Sequence, residues 1–211
     1  MTRPAVRSRG SAGHLLTAAA VGYVAGTLPS ADLAAHMATG GRTDLRSAGS
    51  GNPGAANAIG VLGPVWGSMV LGSDIGKGAI ACRLGHSIAG DAGAHVAGVA
   101  AVIGHCFPWH AGFSGGKGVA TSAGQCLATF PAYFPVDLAV AAATSTGKWK
   151  HKAFTTTAVG CVAWVVGTVV WWKKKWPNLW GPPPGAALTA AAATTSTIIM
   201  YKFATARPPT P

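Results

Sequence analysis

Long stretches without a single charged side chain are the feature that most limits what this chain can become. No Asp, Glu, Lys or Arg occurs in residues 10–31, 47–73, 92–116, 118–136, 153–172 or 176–201. A helix crossing a bilayer needs about 20 predominantly apolar residues, and several of these runs are long enough. Only 10% of the 211 residues are charged, against roughly 25% in ordinary soluble domains. The net charge of +11 arises from sixteen Lys and Arg against five Asp and no Glu. Scarcity of acid accounts for it, so it is no sign of a nucleic-acid partner. Thirty Gly and fourteen Pro would suit a solvated coil, but eight Trp and a positive mean hydropathy exclude one. The chain reads as an all-α integral membrane protein, a polytopic bundle of five to seven transmembrane helices.

The second run opens with Gly, Pro and Asn, so its helix is expected to start near Ala58, and the Ala- and Thr-rich last run is the weakest. One domain over residues 14–203 is expected, with a basic tail at 1–13 and a Pro-rich tail at 204–211. A signal peptide is the alternative for the first run, since Arg3, Arg7 and Arg9 precede it. The segment continues through Pro29 and Asp32 into a polar motif, which favours a retained helix. Lys148, Lys150 and Lys152 precede the most hydrophobic run and Lys173, Lys174 and Lys175 follow it. The positive-inside rule cannot be satisfied at both ends of one span, unless the segment is re-entrant or one cluster lies outside. Trp171, Trp172, Trp176 and Trp180 among these lysines suggest an interfacial belt, and Pro182, Pro183 and Pro184 a turn before the final helix. Cys82, Cys106, Cys126 and Cys161 form no CxxC pair and read as buried thiols, and His105, Cys106 and His110 lack a nearby carboxylate. No metal or cofactor is expected.

Two polar islands carry the chemistry. The first, residues 43–57, contains Arg46, Gly49, Ser50, Gly51, Asn52, Gly54 and Asn57. Gly49, Gly51 and Gly54 satisfy GxGxxG, and Asp74 lies twenty residues further on. The dinucleotide fingerprint requires a strand before it, however, and here an apolar run precedes and Pro53 stiffens the loop. Successive small residues can instead turn backbone N–H groups inward as an anion-binding nest. Arg46 adds a fork suited to phosphate.

The second island, residues 104–122, places Lys117 among Gly115, Gly116 and Gly118. It is no Walker A loop: Gly118 stands where Ser or Thr would hold magnesium, and Ala111 replaces the first glycine. A lysine between glycines ahead of a helix start still suits an anion. Asp74 and Lys77 are ionisable groups in an apolar surround, costly unless paired. They could pair with each other, or Asp74 could hold Arg46 or Lys117. A supporting role is expected of both.

These blocks, in order, resemble the bacterial acyl-phosphate:glycerol-3-phosphate acyltransferases of the PlsY type. The resemblance rests on Gly26-Thr-Leu-Pro29, Asp44-Leu-Arg46, Gly49-Ser-Gly-Asn52 with Gly54 and Asn57, Asp74 with Lys77-Gly78, Gly104-His105, Phe107-Pro108, and Phe113 with Gly115-Gly-Lys-Gly-Val-Ala-Thr121. It covers about residues 22–131 and implies a seven-helix bundle in the cell membrane with a pocket open to the cytoplasm. The implied reaction moves a fatty acyl group from acyl phosphate to the 1-hydroxyl of glycerol-3-phosphate, giving lysophosphatidate and phosphate. The resemblance makes Ser50 necessary for activity; Asn52, a neutral hydrogen-bonding group, and His105, distant in sequence but able to approach Ser50, complete the expected catalytic set. Gly115, Gly116, Lys117 and Gly118 would bind glycerol-3-phosphate, with Lys117 on its phosphate. Arg46, Gly49, Gly51, Gly54 and Asn57 would complete substrate binding. Gly60 stands where the family carries an arginine, Phe154-Thr-Thr-Thr157 replaces a serine block, and the family's C-terminal His and Asn have no counterpart.

Overall fold

The computed structural model describes residues 11–206 and is helical throughout, without strands among them. Helix α1 (Ala12–Gly26) and the short α2 (Ser30–Thr39) precede the first glycine-rich loop. Then come α3 (Ala55–Leu62), α4 (Pro64–Cys106), α5 (Val119–Thr129), α6 (Phe134–Ser145), α7 (Lys152–Lys174) and α8 (Ala186–Ala204). The expected tails lie mainly in residues 1–10 and 207–211, outside the described residues, and so does the Arg3, Arg7 and Arg9 cluster.

Helix α4 is a hairpin. Ala89 and Gly90 leave helical geometry, and Gly90 takes φ +65°, open to glycine because it has no Cβ. Beyond this turn the second arm folds back along the first. Gly85 and Gly93 face each other so closely that a Cβ on either would strike the other's backbone, and Cys82 sits against Gly98. With both arms counted and the short α2 and α3 set aside, seven helical segments build the bundle. The stretch from Pro64 and the helix Lys152–Lys174 are long and apolar enough to cross a membrane by themselves. At 1.5 Å per residue, α5 and α6 each reach only about 17–18 Å of the ~30 Å hydrocarbon layer.

The hairpin is the centre on which the other helices pack, through small residues. Gly22 and Gly26 of α1 meet Ala97 and Ala101 of the second arm, and Gly104 meets Tyr23. Gly78 of the first arm meets Thr121 of α5, and Gly124 of α5 meets Ile75. Lipid tails are as apolar as the side chains, so burial against them drives little association. Close backbone approach at such small-residue seams supplies dispersion contacts instead. Buried polar groups add direction: Thr195 of α8 donates to Gln125 of α5 at 2.9 Å.

Several expectations need correction. The second charge-free run is not one helix starting near Ala58: α3 starts at Ala55 and ends before Gly63, and Pro64 opens α4. Proline is tolerated at a first helical turn, where its missing N–H costs no bond. The first arm of α4 and α6 escaped the reading because Asp74, Lys77, Arg83 and Asp137 interrupt their apolar stretches. The weak last run does form α8, entered after the triple proline through Gly185. Helix α7 is continuous, so it is not re-entrant, and its two lysine clusters lie at opposite ends. Trp171 leaves the expected belt: it packs edge-on against Phe130 at 5.5 Å, beside Tyr133. Trp172, Trp176 and Trp180 are exposed. All four cysteines are free and buried.

Candidate active site

The two polar islands meet at one end of the bundle. Asp44 shapes the first: its side chain accepts from the Arg46 amide at 2.9 Å and its carbonyl from the Ser47 amide at 3.1 Å. Asn57, buried at the first turn of α3, organises the rest. Its Nδ2 donates to the Leu45 and Ala48 carbonyls, both at 2.9 Å, and its Oδ1 accepts the Ser50 amide at 2.7 Å. Gly49, at φ +59°, lies directly against Asn57 Oδ1, so a side chain there meets both strain and a clash. The Asn57 side chain is thus engaged in building the loop. The Ser50 hydroxyl is exposed and makes no hydrogen bond among the described residues.

Arg46 joins the islands. Its Nε–H donates to the Ser114 carbonyl at 3.0 Å, while Nη1 and Nη2 grip the two Asp32 oxygens at 2.5 and 3.1 Å. That carboxylate holds the guanidinium above its ordinary pKa. The fork expected for phosphate is therefore occupied by Asp32 of α2, with two of its five N–H groups still free. Asp32 and Ser114 were not anticipated; the only available signal was Asp32's isolation between apolar segments.

The second island is pinned to the end of α4. Pro108 stops that helix at Cys106, and the chain returns so that the Gly115 and Gly116 amides donate to the Cys106 and His105 carbonyls, both at 3.2 Å. These two amides serve the loop and are not a free nest. The His105 ring meets Gly116 edge-on with its Nε2 tip, and a Cβ at Gly116 would strike that atom. Lys117 also departs from expectation. Its amine rests 4.3 Å from the centre of the Phe203 ring on α8 and does not line the cleft between the islands. Partial burial, then the nearby Lys202, lower its pKa from the usual lysine value.

That cleft is shallow and open to solvent, and is bordered by Arg46, Pro53, Lys77, His105, Gly115 and Gly116. His110 also borders it and bonds through Nε2 to the Thr27 carbonyl at 2.7 Å. Ser50, Asn52 and Lys117 stand outside this border. Beneath it lies a buried polar knot: Asp74 Oδ1 accepts from Ser30 at 2.5 Å and pairs with Lys77 at 2.9 Å, while Lys77 also donates to the Leu28 carbonyl at 3.1 Å. Of the alternatives open to Asp74, pairing with Lys77 is the one realised, and it holds neither Arg46 nor Lys117. His105 Nδ1 is 3.7 Å from the same oxygen, beyond a direct hydrogen bond.

Residues 16–207 match the family described as Glycerol-3-phosphate acyltransferase. A glycerol-3-phosphate acyltransferase of Bacillus velezensis is 46% identical over 118 residues, which are 56% of this chain and 60% of that protein. One from Jannaschia sp. is 43% identical over 124 residues, 59% of each chain. The chain thus aligns with about 60% of the length of the curated relatives it matches. Among solved structures, the integral membrane glycerol 3-phosphate acyltransferase PlsY in its glycerol 3-phosphate form superposes with TM-score 0.69 at 25% identity, covering 92% of this chain and 94% of that one. The lysophosphatidic acid form gives the same TM-score at 24% identity. With a family match over nearly its whole length and a helical bundle like that of PlsY, the chain belongs to the glycerol-3-phosphate acyltransferase family.

Proposed function

We propose that this chain transfers an acyl group from acyl phosphate to the 1-hydroxyl of glycerol-3-phosphate, releasing lysophosphatidate and inorganic phosphate at the cell membrane. One observation carries the reading: the Arg46–Ser114 hydrogen bond closes two glycine-rich loops over a single polar cleft. Relatives similar to this chain are named as acyltransferases acting on this acceptor.

Acyl phosphate is already activated, so the protein has to align the reactants and stabilise charge. The acceptor hydroxyl attacks the carbonyl carbon, the C–O bond to phosphate breaks with its electron pair on oxygen, and the departing phosphate takes the hydroxyl proton. His105 and His110 border the cleft with ring nitrogens able to orient the glycerol hydroxyls. The free Ser50 hydroxyl and Asn52, at the outer edge of the first loop, would orient the donor's phosphate. Ser50 has no base beside it to make it a nucleophile. Gly115, Gly116 and Gly118 let the second loop lie close to the acceptor. The acyl chain would lie between helices in the bilayer. Lys148, Lys150 and Lys152 lie next to this end of the bundle, where Phe154 meets Phe203, and Lys173, Lys174 and Lys175 balance them at the opposite end, so a cytoplasmic cleft rests on the family resemblance.

The test is product formation by the purified chain, with acyl phosphate and acyl-CoA offered separately alongside labelled glycerol-3-phosphate. Lysophosphatidate from acyl phosphate alone is expected. Preference for the thioester, or silence with both donors, overturns the reading.

A further inference from the structure

The chain has five side-chain carboxylates, and their placement leaves two half-buried amines without a counter-charge among the described residues. Asp32 and Asp44 face Arg46, Asp74 pairs with Lys77 and Asp91 with His86. Asp137 sits in the first turn of α6. No carboxylate lies within ion-pair distance of Lys117 or Lys202 among the described residues. Unlike Lys148, Lys150, Lys152 and Lys173 to Lys175, which extend into the exposed surface, these two are drawn inward.

Lys202, in the last turn of α8, donates to the Cys106 carbonyl at 3.0 Å and lies 4.9 Å from the Phe107 ring centre. Lys117 lies over Phe203, the next residue of α8. Gly118 follows Lys117 and packs against Cys106 and Ile199, so α5 begins at this same point. Two ammonium groups therefore converge on the junction of α4, α5 and α8. Aromatic faces cushion them, but rings carry no net charge and do not relieve the mutual repulsion. A lysine placed only to cap α4 would need one proton for the Cys106 carbonyl, and Lys202 has two more.

We propose that Lys202 adds a second amine to the phosphate contact that the family resemblance gives to Lys117, making a two-amine seat for a phosphate monoester dianion at the junction of α4, α5 and α8. This deepens the acyl-transfer reading and rests on it, because it supplies the unpaired positive charge that the cleft itself lacks: Arg46 and Lys77 are both already matched by carboxylates. Two molecules in that reaction present such a group, the acyl donor and glycerol-3-phosphate.

Calorimetric titration of the purified chain in detergent micelles tests the seat without turnover, using decyl phosphate as an unreactive donor analogue and, in a separate arm, glycerol-3-phosphate. Loss of one charge-assisted contact lowers affinity on the order of tenfold. At least one arm should show that loss in Lys202→Gln, while Lys202→Arg retains most of the binding and Lys173→Gln, at an exposed position, behaves as wild type. The arm that responds names the seated phosphate. Should both phosphates bind Lys202→Gln as tightly as wild type, should neither bind the wild type, or should Lys173→Gln lose as much, the seat is overturned. Unaltered melting of each variant separates lost charge from lost fold, and Lys202→Arg provides the comparison if the glutamine variant melts early. Phosphate binding that depends on Lys202 in a chain without turnover would sink the acyl-transfer reading and leave the seat standing.

Discussion

Arg46 and Ser114 are 68 residues apart in sequence, and a 3.0 Å hydrogen bond from the arginine Nε–H to the serine carbonyl makes one site of two loops. Asp32 braces the other edge of the same guanidinium. Such a planar group can hold a carboxylate and a carbonyl at fixed angles together, which an ammonium cannot do. Arg46→Lys keeps the charge and loses the geometry. Turnover of glycerol-3-phosphate by this variant is expected to fall at least tenfold, since hydrogen bonds to charged groups contribute about 1.5–3 kcal/mol each. Initial rates at saturating acyl phosphate measure it.

The Asp74–Lys77 pair is buried in the hairpin's first arm, with the carboxylate 1% exposed. Removing one partner strands the other charge, which costs about 3–5 kcal/mol. Asp74→Asn should therefore melt well below the wild type in detergent. Lys77→Met added to Asp74→Asn should recover part of that loss, because no unpaired charge is left. Thermal denaturation followed by tryptophan fluorescence distinguishes the two results.

Glycine substitutions in the first arm should separate seam from surface. A Cβ at Gly78 would collide with the Thr121 carbonyl of α5, whereas at Gly76 it would meet open space. Gly78→Ala should force α4 and α5 apart and destabilise by about 1–3 kcal/mol, the usual cost of overpacking. Gly76→Ala should be neutral or stabilising by up to about 1 kcal/mol through helix propensity. Paired denaturation curves check both.

Asn57 holds the first loop through three hydrogen bonds to its neighbours. Asn57→Ala leaves the Leu45 and Ala48 carbonyls and the Ser50 amide without it, so the loop should become a protease target and activity should drop. Asn57→Asp offers acceptors alone and cannot serve Leu45 and Ala48, so it should fail equally. Limited proteolysis of both variants reports on the loop directly.

The bundle and its polar islands were legible in the sequence because their signals are local: charge-free runs, clustered glycines, and Pro108 after a helix. The hairpin was not, since Asp74, Lys77 and Arg83 break the apolar stretch of its first arm and Gly90 resembles any other glycine in a helix. Arg46 was recognisable as a forked cation, but its partner Asp32 belongs to a different helix and only the folded chain brings the two together. Lys117 was likewise visible as a lysine among glycines, although its direction toward Phe203 depends on where α8 packs. Lys202 lies in a segment with no glycine or motif around it, and its place beside Cys106 is a matter of tertiary structure alone.

The central claim, that the two loops act as one site, is most directly tested by a double-mutant cycle on initial rates with Arg46→Lys in the first loop and Gly116→Ala in the second. Residues that support one reacting geometry give non-additive losses. The double variant should be scarcely slower than the worse single variant. Losses that simply multiply would mean two independent loops and would contradict the account.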